Sequence, residues 1–330
     1  MADLTTNYMG LMLKNPLIIG SSGLTSTFEK IKELEANGAG AIVLKSIFEE
    51  EILLDTKHHL DSASADKMIY SDQSETLDYI DIHIKEDSLN NYINLIKKCK
   101  SELLIPIIGS INCISNTEWI NFAKKIENAG ADGIELNIFL NPADTSDLDF
   151  EKVYLSIITS VLKEVKIPVA VKFSQNFTKP YHFFTKVSET GIKGMVLFNR
   201  FYMPDIDLKT MSLKEADIFS SASEFNQVLR WVGILSGNVK CSIAASTGIH
   251  DSSSMIKQIL AGADAVQVVS AIYKHGPKYI NDLLSGLEKW MDEKGFNYID
   301  QFKAQINMVE GKNPAAYERM QFMKYFGGIK

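Results

Sequence analysis

Eight short apolar runs, each ending in small or polar residues, recur along the 330-residue chain in two alternating forms. Four share one phrase, a glycine, a tight turn and then the run: NGAGAIVLKS (37–46), AGADGIELN (129–137), TGIKGMVLFN (190–199) and AGADAVQVVS (261–270). The first glycine of each (Gly38, Gly130, Gly191, Gly262) follows an amphipathic stretch, where glycine supplies the left-handed residue that ends a helix. The apolar run after it reads as a buried strand. Between these lie NPLIIGSS (15–22), IPIIGSIN (105–112), IPVAVKFS (167–174) and VKCSIAAS (239–246), three of them opening at a proline, which a strand tolerates at its start.

Runs with no polar face must be covered on both sides, which is the condition of parallel strands inside a shell of helices. Amphipathic patterns at 27–36, 88–101, 115–128, 151–165, 223–235, 251–260 and 277–293 supply such helices. An open doubly wound sheet and a closed barrel both fit eight strands. The fourfold βαβα rhythm favours closure, and the first strand lacks the G-x-G-x-x-G turn of a dinucleotide-binding sheet. The expected architecture is α/β, a single (β/α)₈ TIM barrel domain over residues 1–330. Two segments break the rhythm: 47–87, expected as an insert over the barrel mouth, and 296–330, expected as a C-terminal extension with a helix near 298–308.

A net charge of −7 argues against nucleic acid as a partner. The three cysteines, Cys99, Cys113 and Cys241, are too few and too dispersed for a disulfide framework or a four-thiolate cluster. No run approaches the ~20 apolar residues of a membrane span, and the N-terminus lacks the pattern of a signal peptide. A cytoplasmic protein with no membrane partner is expected.

Barrels of this type carry their active site at the C-terminal ends of the strands. Those ends are Ser21-Ser22-Gly23, Lys45-Ser46, Ser110 and Asn112, Asn137, Lys172, Asn199-Arg200, Ser246-Thr247-Gly248 and Val269-Ser270. The ring holds amides, hydroxyls and two lysines, without the carboxylate pair of a glycosidase. The six histidines are scattered and His58-His59 are adjacent, so no metal site is indicated. The loops after strands seven and eight are the habitual phosphate site of barrels, and both offer backbone N–H groups here. Lys45 and Lys172 are expected to point into the mouth. There a lysine can stabilise a reduced flavin, form a Schiff base with a carbonyl, or pair with Glu135.

Taken together, the strand ends resemble the dihydroorotate dehydrogenase family of FMN barrels over nearly the whole chain up to about residue 295. Gly20-Ser21-Ser22-Gly23 is similar to that family's first flavin-contacting turn, and Val43-Leu44-Lys45-Ser46 to its lysine–serine pair beside the flavin. Asn112 matches an asparagine that contacts the flavin in part of the family. Glu135-Leu136-Asn137 matches the fourth-strand sequence whose asparagine touches substrate. Val171-Lys172 resembles the lysine on the flavin pyrimidine edge, and Asn199 the sixth-strand substrate asparagine. Ser246-Thr247-Gly248-Ile249 and Gln267-Val268-Val269-Ser270 resemble the two phosphate loops.

The resemblance implies FMN as cofactor and Lys45, Asn137, Lys172 and Asn199 as catalytic residues. It implies cofactor contacts from Ser21, Ser22, Gly23, Lys45, Ser46, Asn112, Asn137, Lys172, Ser246, Thr247, Gly248, Val269 and Ser270. It also implies oxidation of a CH–CH bond in a small anionic cyclic substrate, dihydroorotate to orotate of pyrimidine biosynthesis being the leading case. A homodimer and a separate electron-transfer partner are further implications.

Three departures separate this chain from the family pattern. Leu140 stands where a Cys or Ser takes a proton from the substrate, and leucine accepts none. The orotate-binding Asn-x-x-Gly-Leu-x-Asn pattern is absent from 47–87. Arg200 replaces the Ser or Thr after the sixth-strand asparagine, where it can pair a substrate carboxylate or hold Asp205 or Asp207. Candidate replacement bases are Asp144, Thr145, Ser146 and Cys113. Two other readings compete: a lysine-dependent aldolase-type barrel whose loops hold a phosphorylated substrate, and a flavin-binding barrel without turnover.

Overall fold

The structure, a computed structural model, describes residues 2–49, 74–113, 116–140, 147, 149–200, 204–215, 218–307 and 314–327. Eight parallel strands form the barrel: Leu17–Ile19, Ala41–Val43, Ile107–Asn112, Gly133–Asn137, Val169–Phe173, Gly194–Leu197, Ser242–Ser246 and Ala265–Val268. The sheet closes, because the eighth strand pairs with the first (Val266 opposite Leu17) and the second pairs with the third (Ile42 opposite Ile107). Every residue of these strands except Ser242 is buried, which is why the sequence runs carry no polar alternation. The four glycines expected to end helices, Gly38, Gly130, Gly191 and Gly262, all have positive φ.

The period of two in each strand sorts its residues into layers. Ile18, Val43, Ile108, Ala170, Val196, Ala244 and Ala265 face one another inside the barrel. Their small volumes leave room at the base, and an antiparallel hairpin of Thr6–Tyr8 and Leu11–Leu13 fills it with Tyr8, Met9 and Leu13. A Cβ on Gly194 would stand 2.6 Å from Met9 Cγ, so the plug needs glycine there. Two residues further along the same faces come Ser110, Glu135, Lys172, Ser246 and Gln267. An apolar floor thus gives way, one layer up, to a polar mouth.

Helices Phe28–Ala36, Ser74–Glu102, Asn116–Asn128, Phe150–Glu164, Pro180–Ser188, Phe225–Leu235, Ser252–Ala261 and Tyr279–Lys294 alternate with the strands. The insert is shorter than expected. Ile47–Phe48 pairs with Ile111 and Asn112, so it continues the second strand, and the next helix begins at Ser74 rather than 88. Residues 50–73, where the rest of the insert falls, lie outside the described residues.

The expected helix at 298–308 is also corrected. Over its described residues, 298–307, that stretch holds one 3₁₀ turn, Ile299–Gln301. Ala304 then adopts φ +61°, and the Ala304 and Ile306 N–H groups bond the Ile259 and Leu260 carbonyls near the end of helix Ser252–Ala261. Donors spent on a neighbouring helix end are not available for an i→i−4 ladder. The helix of the extension is Pro314–Gly327 instead. An exposed hairpin of Pro204–Asp207 and Ser212–Glu215 was not anticipated. Among the described residues no helix is long and apolar enough to cross a membrane.

Candidate active site

The second strand carries a bulge at its C-terminal end. Val43 lies opposite Ile108 and Ile47 opposite Ile111, so the second strand takes four steps against three in its partner. The Lys45 N–H turns to the Thr25 carbonyl at 3.3 Å, and the Ser46 N–H to Ser21 Oγ at 2.8 Å. Ser46 Oγ becomes a hub, 3.0 Å from Ser21 Oγ and 2.7 Å from Ser110 Oγ. Asn137 Nδ2 donates to it at 3.3 Å, and Asn199 Nδ2 donates to Asn137 Oδ1 at 2.9 Å. One polar chain therefore links strands one, two, three, four and six.

The two lysines do not share a cavity. Lys172 lines one of 210 Å³ with Asn199, Arg200, Ser246, Thr247, Gly248, Val269 and Ser270. Lys45 is exposed and borders a second cavity of 250 Å³, against Tyr92 and Leu95 of helix Ser74–Glu102. The bulge explains the split, since it rotates Lys45 away while turning Ser46 inward. Asn112 is buried and lines neither cavity. Ser22 caps the 3₁₀ turn Gly23–Thr25, accepting from Leu24 N–H at 3.3 Å. Gly23 lets Tyr273 approach, because a Cβ there would lie 2.7 Å from its hydroxyl.

The cavity that Lys172 lines is cationic. Lys172 and Arg200 line it, and among the described residues no carboxylate does. Thr247 and Gly248 take consecutive left-handed conformations at φ +81° and +78°. The Thr247 hydroxyl donates to the Phe198 carbonyl at 3.1 Å. Ser220, which sequence reasoning missed, ties the two loops together. Its N–H donates to Ser270 Oγ at 3.0 Å, and its Oγ accepts from Gly248 N–H at 3.4 Å. His250 Nε2 stands 3.1 Å from the same Oγ. Burial, and then the Lys274 charge, pull the His250 imidazolium below its ordinary range. The only sequence signal for Ser220 is the polar cluster SSASE between an apolar segment and a helix.

Arg200 pairs with neither Asp205 nor Asp207. Its Nε lies 3.1 Å from Glu224 Oε2 and its Nη1 donates to the Ile218 carbonyl at 2.8 Å. Asp205 is held by Lys214 at 2.9 Å, and Asp207 accepts from the Lys209 N–H at 2.8 Å. Lys172 Nζ stands 3.9 Å from Glu135 Oε1, the pairing foreseen as one alternative. Gln267, named from the sequence only as the start of a phosphate-loop match, donates to Glu135 Oε2 at 2.6 Å. A polar residue inside an apolar strand was its signal. Leu140 packs against the apolar core, Cys113 is buried, and Asp144, Thr145 and Ser146 lie outside the described residues.

Comparison with known proteins finds relatives over nearly the whole chain. The chain is 27% identical over 313 residues to a protein of Thermoplasma volcanium named dihydroorotate dehydrogenase B (NAD(+)), catalytic subunit, covering 91% of this chain and 97% of that one. The protein of that name from Methanocaldococcus jannaschii is 28% identical over 306 residues, covering 87% and 94%. Dihydroorotate dehydrogenase A (fumarate) of Lactiplantibacillus plantarum is 24% identical over 321 residues, covering 94% and 100%. The family model described as dihydroorotate dehydrogenase matches residues 3–291. A barrel closed by eight strands, with this match running through all of them, belongs to the dihydroorotate dehydrogenase family.

Proposed function

We propose that this protein is an FMN-dependent oxidoreductase that oxidises a CH–CH bond of a small anionic cyclic substrate, with dihydroorotate to orotate as the leading reaction. The observation that carries the reading is the cavity lined by Lys172 and Arg200, with no carboxylate among its described lining residues, which spans Asn199 and both loops after strands seven and eight. The residues fit FMN. The Thr247-Gly248 and Val269-Ser270 loops meet at the cavity, where the Ser270 hydroxyl and the N–H groups opening helix Ser270–His275 would donate to a phosphate, and Lys172 would hold its charge near the pyrimidine edge of the ring, as the family resemblance implies. Gly248 lets the loop pack against the start of helix Phe225–Leu235, since a Cβ there would lie 2.7 Å from Phe225 Cα.

Bound FMN supplies the hydride acceptor. Asn137 and Asn199 each carry a donor and an acceptor, a match to the alternating C=O and N–H groups of a cyclic ureide. Their mutual bond sets the two amides at one angle to the substrate. Arg200, anchored to Glu224, presents its remaining guanidinium edge to a substrate carboxylate. Ser21, Ser46 and Ser110 hold the amides in place. Leu140 accepts no proton, so Asp144, Thr145 and Ser146 are the candidate proton acceptors, with Cys113 the weaker candidate. A separate electron-transfer subunit, a homodimer and a cytoplasmic location complete the proposal. The names of relatives that are catalytic subunits support the first of these.

Anaerobic addition of dihydroorotate to the purified protein tests the reading. Bleaching of a visible flavin band is the expected result. A band that stays oxidised rejects dihydroorotate as substrate. A colourless protein trapped by borohydride with a carbonyl compound moves the assignment to the lysine-dependent aldolase class.

A further inference from the structure

Beneath the amides and hydroxyls lies a buried acidic side chain that the proposed reaction does not itself require. Glu135 is 1% exposed and Lys172 is 7% exposed. Glu135 faces Ala170 and Asn137 faces Lys172 across adjacent strands, so the two side chains are diagonal neighbours on the inner face. Lys172 Nζ stands 3.9 Å from Glu135 Oε1, an oxygen with no hydrogen-bond partner among the described residues. The other oxygen accepts from Gln267 Nε2 at 2.6 Å. Gly20 makes this bracing feasible: a Cβ there would stand 3.2 Å from Gln267 Oε1. The Tyr8 hydroxyl rises from the plug below, and burial and Glu135 both oppose its ionisation, so it brings no charge of its own.

We propose that Glu135 is a positioning residue that compensates the Lys172 ammonium and, braced by Gln267, aims it into the cavity. A buried carboxylate and a buried ammonium are each unfavourable alone, and each is stabilised by the other. The floor of the cavity thus carries a cationic tip with its counter-charge directly below. The electrostatic pull on a bound cofactor depends on both members, so Glu135 sets redox behaviour without touching the reacting atoms. Only the electrochemical part of this inference rests on the flavin reading of the site.

Glu135→Gln keeps the shape and an acceptor for Gln267 while deleting the charge. In the full-length protein, the Lys172 ε-methylene NMR signal, assigned by its loss in Lys172→Met, is followed against pH. The expected result is at least a tenfold loss of Lys172 proton affinity in Glu135→Gln, restored in Glu135→Asp. In the holoenzyme the flavin midpoint potential is measured over the same pH range. Where Lys172 remains protonated, its uncompensated charge raises the two-electron midpoint by about 30 mV, the equivalent of a tenfold shift. Above the new titration point the rise disappears.

An unchanged Lys172 titration in Glu135→Gln overturns the proposal, and this arm reads out whether or not the protein carries flavin. A shifted titration in a protein without flavin leaves the pair standing and rejects the cofactor reading alone. If Glu135→Gln does not fold, the double variant Glu135→Gln/Lys172→Met, which removes both charges, is expected to fold. A double variant that also fails to fold counts against charge compensation.

Discussion

Gly248→Ala probes the phosphate loop at the point where backbone geometry and the proposed chemistry meet. The native φ is +78°, and holding an L-residue there costs about 1–2 kcal/mol. The new methyl would also stand 2.7 Å from Phe225 Cα and 3.0 Å from the Glu224 carbonyl carbon, against the start of a helix rather than a yielding side chain. Overpacking of this kind adds about 1–3 kcal/mol. A loss of roughly 2–5 kcal/mol in a chain of 330 residues corresponds to a fall in Tm of about 3–7 °C, from ~2.1 cal/mol/K of unfolding entropy per residue.

The loop can relieve the overlap by moving, but it then withdraws donors from the phosphate. One hydrogen bond to a charged group is worth about 1.5–3 kcal/mol, so FMN affinity should fall roughly 10- to 100-fold. Riboflavin has the same ring and no phosphate, and its affinity should change less than about threefold by the same reasoning. Titration of deflavinated protein with each compound, read by flavin fluorescence, separates the two. Equal losses for FMN and riboflavin, or no loss for either, would refute the placement of phosphate at Thr247-Gly248.

Further outcomes follow from other parts of the molecule. Asn137→Ala removes the bridge between Ser46 and Asn199; it should lower turnover of dihydroorotate at least ~10²-fold through lost orientation while flavin stays bound, and wild-type turnover contradicts this. Tyr8→Phe deletes a buried hydroxyl with no partner among the described residues, so urea unfolding should show stabilisation of about 1 kcal/mol, and a loss of that size counts against the reading. Burial pushes the Cys99 thiol up to about 11 and the Cys241 thiol to about 12. The neutral thiol is therefore the favoured form below those values, and reactive thiolate appears only as pH rises toward them. At pH 8 iodoacetamide should modify either residue at least ~100-fold more slowly than a free thiol of pKa ≈ 8.5, and labelling at the free-thiol rate rejects the assignment.

The barrel was legible because parallel strands buried on both faces must be written as apolar runs, and because Gly38, Gly130, Gly191 and Gly262 mark the helix ends between them. The strand-end chemistry was legible for the same reason, each polar residue standing at a computable step past an apolar floor. Asn137 and Asn199 come together as their positions imply. Lys45 does not join Lys172, since the one-residue bulge between Val43 and Ile47 is a matter of pairing with the third strand, and no local pattern announces it. The plug at the base was hidden because Tyr8 and Met9 are specified by the volume that Ala170, Ala244 and Gly194 leave vacant from far along the chain. Arg200 finds Glu224 rather than the nearer Asp205 and Asp207, which their own hairpin engages. Residues 298–307 cap a neighbouring helix instead of forming one, a tertiary demand that outranks their local preference.

We propose that the cationic cavity at the strand ends holds FMN by its phosphate. The most direct test is to denature the purified protein, separate the released small molecules and identify and count them by mass and fluorescence. FMN at about one per chain is expected, in reduced amount from Gly248→Ala and in full amount from Asn137→Ala. Release of no flavin, or of riboflavin or FAD in its place, would contradict it.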